Sequence, residues 1–531
     1  MCPAPSYTPK MSTPYLFSLP PLNSAKRDVP AGIVVFLVAL PLCLGIALAS
    51  GAPLFAGIVA GVVGGMVMAF VSGSELSVSG PAAGLTVIVA GAIASLGSFE
   101  VFTVAVLLSG LLQFGIGAAR AGIIGDYIPN SVIKGMLAAI GIVIILKQIP
   151  HAVGFDRDFL GDEAFSQAGQ SNTFTDLIGA FFAPSPGAIV ISLVALALMI
   201  GWERPFMKRM SWTAVLPAPL ACVILGTLIN EMLGALMPSW QLTAAKQQLV
   251  QLPEISSLAD IQAMFTMPDW SAALRPDVWI VAATIAVVGS IETLLCIEAT
   301  DKLDPEMRIS DPNRELRGQG IGNMACGLLG GLPITSVIVR SSANVYAGAR
   351  TRLSTFVHGG VLLLSVLFLG TLMNRVPLAA LAAILIVVGY KLSSRKIIVS
   401  MWQQGMTQFI PFAVTVVGIV FTDLLKGIAM GVLTGVFFVI RSNSRAAITV
   451  VSRDDCHLLR FNKDVSFIHK VDLKRMLREM PDGTHLIVDG TKALYIDRDV
   501  YEVIREFEAG ASLRGITLEY HHFFDKQLAK A

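Results

Sequence analysis

Two short stretches break the apolar sequence of this chain: SVSGPAAG at residues 77–84 and TSVIVRSSAN at residues 335–344. Each follows a glycine-rich apolar helix, starts with strand-like residues and leads into a helix too short or too polar to span a bilayer alone. Irregular backbone survives at membrane depth only where protein or a water-filled cavity covers it. Interrupted segments in two halves of a chain indicate the binding site of a transporter.

The composition around these breaks is that of a membrane protein. The chain has 531 residues, is 54% hydrophobic and 14% charged, and has a mean hydropathy of +0.70. About twelve apolar segments are long enough to cross the hydrocarbon core, and the two short segments bring the total to about fourteen. We predict an α-helical polytopic membrane protein with a 7+7 inverted repeat, in which spans 3 and 10 are half-helices.

The positions of the Lys, Arg and Cys residues indicate the membrane topology, the domain boundaries and the state of the thiols. Lys and Arg concentrate in alternate connections, which predicts cytoplasmic N- and C-termini and polar excursions outside the membrane at residues 150–185 and 238–276. We predict a cytoplasmic N-terminal segment at residues 1–25, a transmembrane domain at 26–445 and a small cytoplasmic α/β domain at 446–531. The six scattered cysteines are interpreted as free thiols.

Both breaks are predicted to present a helix start to the membrane interior. In the first, Pro81 suits the first helical turn, Ser79 or Gly80 can cap it, and free N–H groups follow at residues 82–84. In the second, Ser341 or Ser342 can cap a short helix that ends near residue 348. Helix starts attract anions, although a proline kink in an ordinary span is the alternative for the first break.

Two ionisable residues lie within apolar sequence. Arg340 stands beside the second helix start, where it raises the potential for an anion, pairs structurally with a carboxylate, or extends its side chain to the membrane interface. Glu292 lies within the apolar segment at residues 278–297, as a proton carrier, a cation ligand or a partner of Arg340.

Other classes of function find little support. The chain has no HExxH, GxSxG or usable Walker motif, so we do not expect an enzyme. We also expect no metal, no cofactor and no nucleic acid partner.

The quoted motifs resemble the SulP (sulfate permease) family of inorganic anion transporters. The resemblance rests on SVSGPAAG at residues 77–84, NRELRGQGIGN at 313–323, GGLP at 330–333 and Arg340-Ser341. The tail, with LIVDGT at 486–491, resembles a short STAS domain. The resemblance implies the seven-plus-seven fold shared with uracil permeases, a homodimer, and elevator-type movement of a core domain against a gate domain.

The resemblance, together with the helix starts, assigns the candidate site residues. The predicted anion-binding residues are Ile46, Ala82, Ala83, Gly84, Val339, Arg340 and Ser341, and the predicted coupling residues are Glu292, Cys296 and Ser336. Sodium-coupled members of the family carry Asp on span 8 and a hydroxyl residue one turn later. This chain has Glu292 and Cys296 there, which favours protons over sodium as the coupling ion.

The sequence therefore predicts secondary active transport of a small inorganic oxyanion, bicarbonate or sulfate, across a bacterial inner membrane. The predicted partners are H⁺ or Na⁺, the lipid bilayer, a second copy of the chain and an unidentified protein that binds the STAS-like tail. The alternatives are a dicarboxylate or nucleobase permease on the same fold, an uncoupled anion channel, and a sensor.

Overall fold

A computed structural model describes residues 24–156, 173–208, 216–252, 265–444, 447–453 and 456–524. The chain divides into two compact units, Met1–Val432 and Leu433–Ala531. The predicted N-terminal segment lies almost wholly outside the described residues, as do Cys2 and parts of both predicted outer excursions. The remaining five cysteines are free thiols, as predicted.

The membrane unit, where described, is built mainly of helices. Its first half contains α1 (Ala25–Ala49), α2 (Leu54–Met66), α3 (Met68–Val71), α4 (Thr86–Leu96), α5 (Phe99–Ala118), α6 (Asn130–Ala152), α7 (Thr173–Phe182), α8 (Pro186–Trp202), α9 (Pro205–Lys208) and α10 (Ala218–Leu236). After these follow α11 (Pro276–Leu303), α12 (Pro312–Leu329), α13 (Ile338–Tyr346), α14 (Leu353–Phe368), α15 (Gly370–Met373), α16 (Leu378–Leu392), α17 (Arg395–Gln403), α18 (Met406–Phe421) and α19 (Leu424–Ser444). Single 3-10 segments occur at Ala83–Leu85, Ala121–Tyr127, Pro238–Trp240, Ala244–Lys246 and Trp270–Ala272.

Several of these helices have membrane-spanning dimensions. Within the described ranges, seven are long and apolar enough to cross a bilayer, or eight if α7 and α8, bent by 111°, form one span. Four shorter apolar helices accompany them: Ala83–Leu96, Leu353–Phe368, Met406–Phe421 and Leu424–Ile440. The prediction of a helical polytopic protein is confirmed, while the number fourteen and the inverted symmetry stay predictions.

Glycines allow the central helices to approach closely. A Cβ atom on Gly110 of α5 would lie 2.5 Å from the backbone nitrogen of Met324 in α12, and one on Gly320 of α12 would lie 2.6 Å from the backbone nitrogen of Phe114. Small residues permit this backbone-to-backbone packing in membranes, where lipid tails compete with every apolar side chain. The pair α5–α12 therefore forms a rigid support beside the two breaks.

The two breaks meet as a two-stranded antiparallel sheet. Strand β1 (Ser79–Pro81) pairs with β2 (Ile334–Ser336), with Gly80 opposite Thr335. One further backbone bond extends the pairing, since the N–H of Val337 donates to the carbonyl of Val78 at 3.0 Å. All six strand residues are buried. Each strand thus provides hydrogen-bond partners for the backbone N–H and C=O groups of the other strand, which have no partner within a helix.

This pairing corrects both predicted helix starts. Pro81 belongs to β1 rather than to a first helical turn, and the helical backbone begins after Ala82 as the 3-10 turn Ala83–Leu85, which leads into α4. Helix α13 begins at Ile338 and ends at Tyr346, so Ser341 lies inside it and caps nothing. The Ser341 hydroxyl instead donates to the Val337 carbonyl at 2.8 Å and accepts from the N–H of Val78 at 2.9 Å.

The second unit contains a four-stranded sheet of β3 (Ile448–Arg453), β4 (Cys456–Phe461), β5 (His485–Asp489) and β6 (Thr517–His521) in that order. β3 and β4 are antiparallel, and β4, β5 and β6 are parallel. Its helices are α20 (Lys470–Arg478) and α21 (Arg498–Ala511), with 3-10 turns at Phe467–His469 and Ser512–Arg514. The small α/β domain is confirmed, although the sequence analysis did not identify β3.

Gly64 lies where α2 packs against β1 of the first break, so a substitution there measures how close that packing must be. A Cβ atom there would collide with the backbone of Ser79. We expect Gly64→Ala to destabilise the protein by about 1–3 kcal/mol because the core is overpacked, measured as a lower melting temperature in detergent.

Gly115→Ala on α5 is the matched control, because a Cβ atom there meets nothing within 4 Å. That variant should be neutral or slightly stabilising, since alanine favours helix over glycine. Equal melting temperatures for both variants would contradict the close packing of α2 on β1.

Candidate functional site

Each half-helix begins directly after one of the paired strands, and because β1 and β2 are antiparallel the two helix starts lie at opposite ends of the pair. Helix α13 follows Val337, and the 3-10 turn at Ala83–Leu85 follows Ala82; neither start has a side-chain cap. The first N–H groups of a helix have no acceptor within the helix itself. The first backbone N–H groups of α13, at Ile338, Val339 and Arg340, and those of Ala83 and Gly84 therefore each favour negative charge at their own end of the strand pair.

Arg340 places a formal positive charge at the second of these starts. Its side chain is fully buried, and within the described part of the chain no oxygen atom accepts from its three guanidinium nitrogens, whose polar neighbour is the thiol of Cys43. The guanidinium lies beside Gly80, where any Cβ atom would collide with it, and beside the thiol of Cys43 on α1. The structural pairing with a carboxylate that the sequence left open is not found among the described salt bridges.

Glu292 lies at the other helix start. It is buried on α11, and a Cβ atom on Gly84 would lie 3.1 Å from its carboxylate oxygen Oε1. The absence of a side chain at Gly84 therefore leaves room for this carboxylate close to the helix start.

The other predicted site residues lie in three kinds of surroundings. Ile46, Ala82, Val339 and Cys296 are buried, and Ala83 and Gly84 are partly exposed. Ser336 and Ser341 use their hydroxyls to hold the break together rather than to line open space. Binding and coupling roles for all of these residues stay predictions.

A row of polar side chains on α12 was missed by the sequence analysis. Glu315, Gln319 and Asn323 repeat every fourth residue and are all buried, so they form one helix face. Glu315 accepts from the Ser336 hydroxyl at 3.1 Å and from the Ser72 hydroxyl at 2.5 Å. The spacing in NRELRGQGIGN was visible in the sequence, but it does not reveal what the face contacts.

The middle of this row joins the two strands. The Gln319 side-chain amide donates to the hydroxyl of Ser79 in β1 at 2.6 Å and to that of Ser336 in β2 at 3.3 Å. It also donates to Glu315 at 3.1 Å. A network of this kind is stabilising when its members are satisfied and costly when one is removed.

Asn323, the last residue of the row, hydrogen-bonds both the N–H and the carbonyl of Ile334 in β2. Its side chain accepts from the N–H of Ile334 at 2.6 Å and donates to the carbonyl of Ile334 at 3.1 Å. It also donates to Gln113 of α5 at 2.8 Å. The strand that leads into α13 is therefore fixed relative to α5 and α12.

Charged groups also order the connections at the start of α1 and after α11. The buried carboxylate of Asp28 accepts from the backbone N–H groups of Arg350 and Thr351 at 2.7 and 3.1 Å. After α11, burial raises the pKa of Asp304, but hydrogen bonds from Arg308 and from backbone N–H groups outweigh it, so the pKa lies below its ordinary value. These contacts lie away from the helix starts and serve the scaffold.

No group of three or more His, Cys, Asp or Glu side chains suited to a metal ion occurs in the described ranges. What the fold brings together is a pair of half-helices, a buried arginine and a buried carboxylate. Those features define a membrane transporter with broken helices at its centre.

The chain belongs to the sulfate permease family, whose sequence profile matches residues 26–417. Members of this family are transporters and not enzymes.

Relatives and solved structures agree with this membership. YvdB of Bacillus subtilis (strain 168), named as a candidate sulfate transporter, is 29% identical over 80% of this chain and 75% of its own length. The bicarbonate transporter BicA of Synechocystis is 28% identical over 83% of this chain and 75% of its own length. The solved transmembrane domain of a cyanobacterial BicA is 25% identical with a TM-score of 0.53, covering 81% of this chain and 100% of that structure.

The two hydrogen bonds from the Asn323 side chain to the backbone of Ile334 form a clamp. A similar clamp elsewhere in the protein allows a matched comparison. Asn323→Leu removes both side-chain bonds to Ile334 and leaves buried backbone groups unpaired, which costs about 1–3 kcal/mol for each group. We expect a lower melting temperature and loss of uptake in proteoliposomes, because α13 loses its fixed start.

Asn230→Leu is the control, since Asn230 on α10 accepts from the N–H of Leu242 at 2.8 Å and donates to its carbonyl at 3.1 Å. It should lower the melting temperature by a similar amount but retain uptake. If Asn323→Leu retains as much uptake as Asn230→Leu, the clamp does not position the site.

Proposed function

We propose that this chain is a secondary active transporter of a small inorganic oxyanion, bicarbonate or sulfate. In this proposal the anion binds between the starts of the two half-helices, held by backbone N–H groups and the charge of Arg340. Family membership and the names of the relatives, which include both sulfate and bicarbonate transporters, support transport of an anion. In this proposal the protein works as a homodimer in a bacterial inner membrane, by elevator-type movement, with both termini in the cytoplasm.

The observation that carries the proposal is the uncompensated charge of Arg340. Arginine at the centre of a bilayer costs about 2.5–3.5 kcal/mol even on permissive insertion scales, and this side chain is fully buried beside the Cys43 thiol, with no carboxylate partner among the described salt bridges. A buried charge is tolerated when it is paired. A small anion supplies the negative charge and the acceptors that the guanidinium and the neighbouring N–H groups require.

Glu292 is the proposed coupling group. Its carboxylate lies against Gly84, at the start of the first half-helix, whereas Arg340 lies at the start of the second. A proton is the preferred coupling ion, and sodium is the second candidate. Protonation of Glu292 removes a negative charge that would otherwise repel the anion.

Removing the charge of Arg340 should abolish uptake. We expect Arg340→Ala to fold and to lower anion affinity by a factor of about a hundred or more, as loss of one partner of a buried ion pair costs roughly 3–5 kcal/mol. The measurement is uptake of labelled bicarbonate and sulfate into proteoliposomes.

Arg375→Ala is the control for that experiment, because Arg375 is exposed. Its uptake should match that of the unmodified protein. Uptake by Arg340→Ala at the unmodified level would sink the proposed anion site.

Neutralising Glu292 should separate binding from coupling. We expect Glu292→Gln to bind the anion but to lose the dependence of uptake on a pH gradient, since glutamine cannot exchange a proton. Uptake is measured with and without proton and sodium gradients.

Glu298→Gln serves as the matched control on the same helix, where Glu298 is paired with Lys302 at 3.0 Å. That variant should keep the pH dependence of the unmodified protein. A Glu292→Gln protein with unchanged pH dependence would refute the coupling role.

A further inference from the structure

Close glycine contacts join the helices around the two breaks into a first group. A Cβ atom on Gly32 of α1 would lie 2.6 Å from the Ser354 carbonyl oxygen of α14, and one on Gly65 of α2 would lie 2.5 Å from the Cα atom of Gly359 in that same helix. The α5–α12 pair and α11 pack with these helices. The first group therefore consists of α1, α2, α5, α11, α12 and α14.

A second group consists of α6, α8, α10, α16 and α18. A Cβ atom on Gly141 of α6 would lie 2.5 Å from the Gly389 carbonyl oxygen of α16, and one on Gly135 of α6 would lie 2.9 Å from the Phe412 carbonyl oxygen of α18. Helices α8 and α10 pack on α16. Among the described glycines, no approach closer than 3.0 Å joins a helix of one group to a helix of the other. Backbone-to-backbone packing thus holds each group together, and movement between the groups disturbs less of it than movement within either.

Side chains connect the two groups. The second half-helix, α13, packs on α1 and α11 of the first group and also meets α16 of the second. In the last turn of α16, Lys391 places its Nζ atom 5.4 Å from the centre of the ring of Tyr346, the last residue of α13. A cation at this distance from an aromatic ring is attracted by it. The end of α13 is therefore joined to the second group by a cation–π contact.

Glu203 holds the lysine from within the second group. It directly follows α8, and its carboxylate forms an ion pair with the Nζ atom of Lys391. Both side chains are partly exposed, so the ion pair itself stabilises the protein little. Because α8 and α16 belong to one group, this pair is unaffected by movement between the groups. The basic residues Arg350 after α13 and Arg395 after α16 predict that these contacts lie on the cytoplasmic side.

We propose that the contact between Lys391 and Tyr346 is a conformational restraint, which ties α13 to the second group in this conformation and breaks each time the anion site moves. The inference rests on the proposed function, in which transport requires one part of the membrane unit to move against another. Tyr346 lies six residues after Arg340 on the same helix, which is about 9 Å along the helix axis. A restraint at this end of α13 therefore acts directly on the proposed anion site.

Substitutions test whether the contact slows turnover. Lys391→Met keeps a long side chain but removes the charge. We expect it to raise the maximal rate of bicarbonate or sulfate uptake into proteoliposomes by about three- to tenfold, because the restrained conformation loses the energy of one cation–π contact. Tyr346→Leu should have the same effect. Tyr346→Phe and Lys391→Arg retain an aromatic ring and a cation, so both should keep the unmodified rate.

Glu203→Gln is the matched control for these substitutions. It removes the ion pair within the second group but leaves the charge of Lys391 and the ring of Tyr346 in place. Since a partly exposed ion pair contributes little, its maximal rate should stay close to that of the unmodified protein.

Cross-linking tests the movement itself. A reducible bifunctional thiol reagent would join a Tyr346→Cys/Lys391→Cys pair between the groups, or a Glu203→Cys/Lys391→Cys pair within the second group. We expect the first cross-link to abolish uptake and a reducing agent to restore it, whereas the second cross-link should leave uptake intact. Mass spectrometry of the linked peptides measures the extent of reaction. Lys391→Cys alone, treated in the same way, controls for reaction at the native cysteines.

The outcomes separate the restraint from the proposed function. Unchanged or lower maximal rates in both Lys391→Met and Tyr346→Leu would overturn the restraint. Equal uptake by the two cross-linked pairs would also overturn it, because α13 and α16 would then not move apart. Either result leaves anion transport by the unmodified protein standing. If the unmodified protein takes up neither bicarbonate nor sulfate, the proposed function fails, and the restraint fails with it.

Discussion

The antiparallel pairing of β1 with β2 is the interaction on which the membrane unit depends. Unpaired backbone groups at membrane depth cost several kcal/mol each, and the pairing satisfies those of both broken segments at once. It also sets where each half-helix begins, because the backbone can turn helical only after the last paired residue. The polar face of α12 then fixes the pair from the side, through Gln319 between the strands and Asn323 on β2.

The environment of Arg340 is a consequence of this scaffold. Its side chain extends over Gly80, which lies opposite Thr335 in the pair and has no side chain to occupy the space. At the first half-helix, Gly84 leaves the equivalent room for Glu292. One glycine thus admits a cation at the second break, and the other admits a carboxylate at the first.

Local sequence predicted which segments break but not where the helices begin. The combination of glycine, proline and polar residues in apolar sequence indicated both interruptions, and the composition established a polytopic membrane protein. The start of α13 was misplaced at Ser341 because its hydroxyl resembles a helix cap; the actual start follows from pairing with residues far away in the chain. The row Glu315, Gln319 and Asn323 was visible as a spacing, yet its meaning depends on β1 and β2, which no local pattern reveals.

Charge balance connects the substrate with the coupling ion. Without a ligand, a protonated Arg340 and an ionised Glu292 sum to zero. When a monovalent anion and one proton bind together, Glu292 becomes neutral and the anion compensates Arg340, so the loaded site again sums to zero. A divalent anion with one proton leaves a net negative charge, and such a charge within the membrane is costly to move. Under the proposed mechanism, a site with one arginine and one titratable carboxylate is therefore balanced by one monovalent oxyanion with one proton, whereas sulfate requires a second proton or another cation for the same balance.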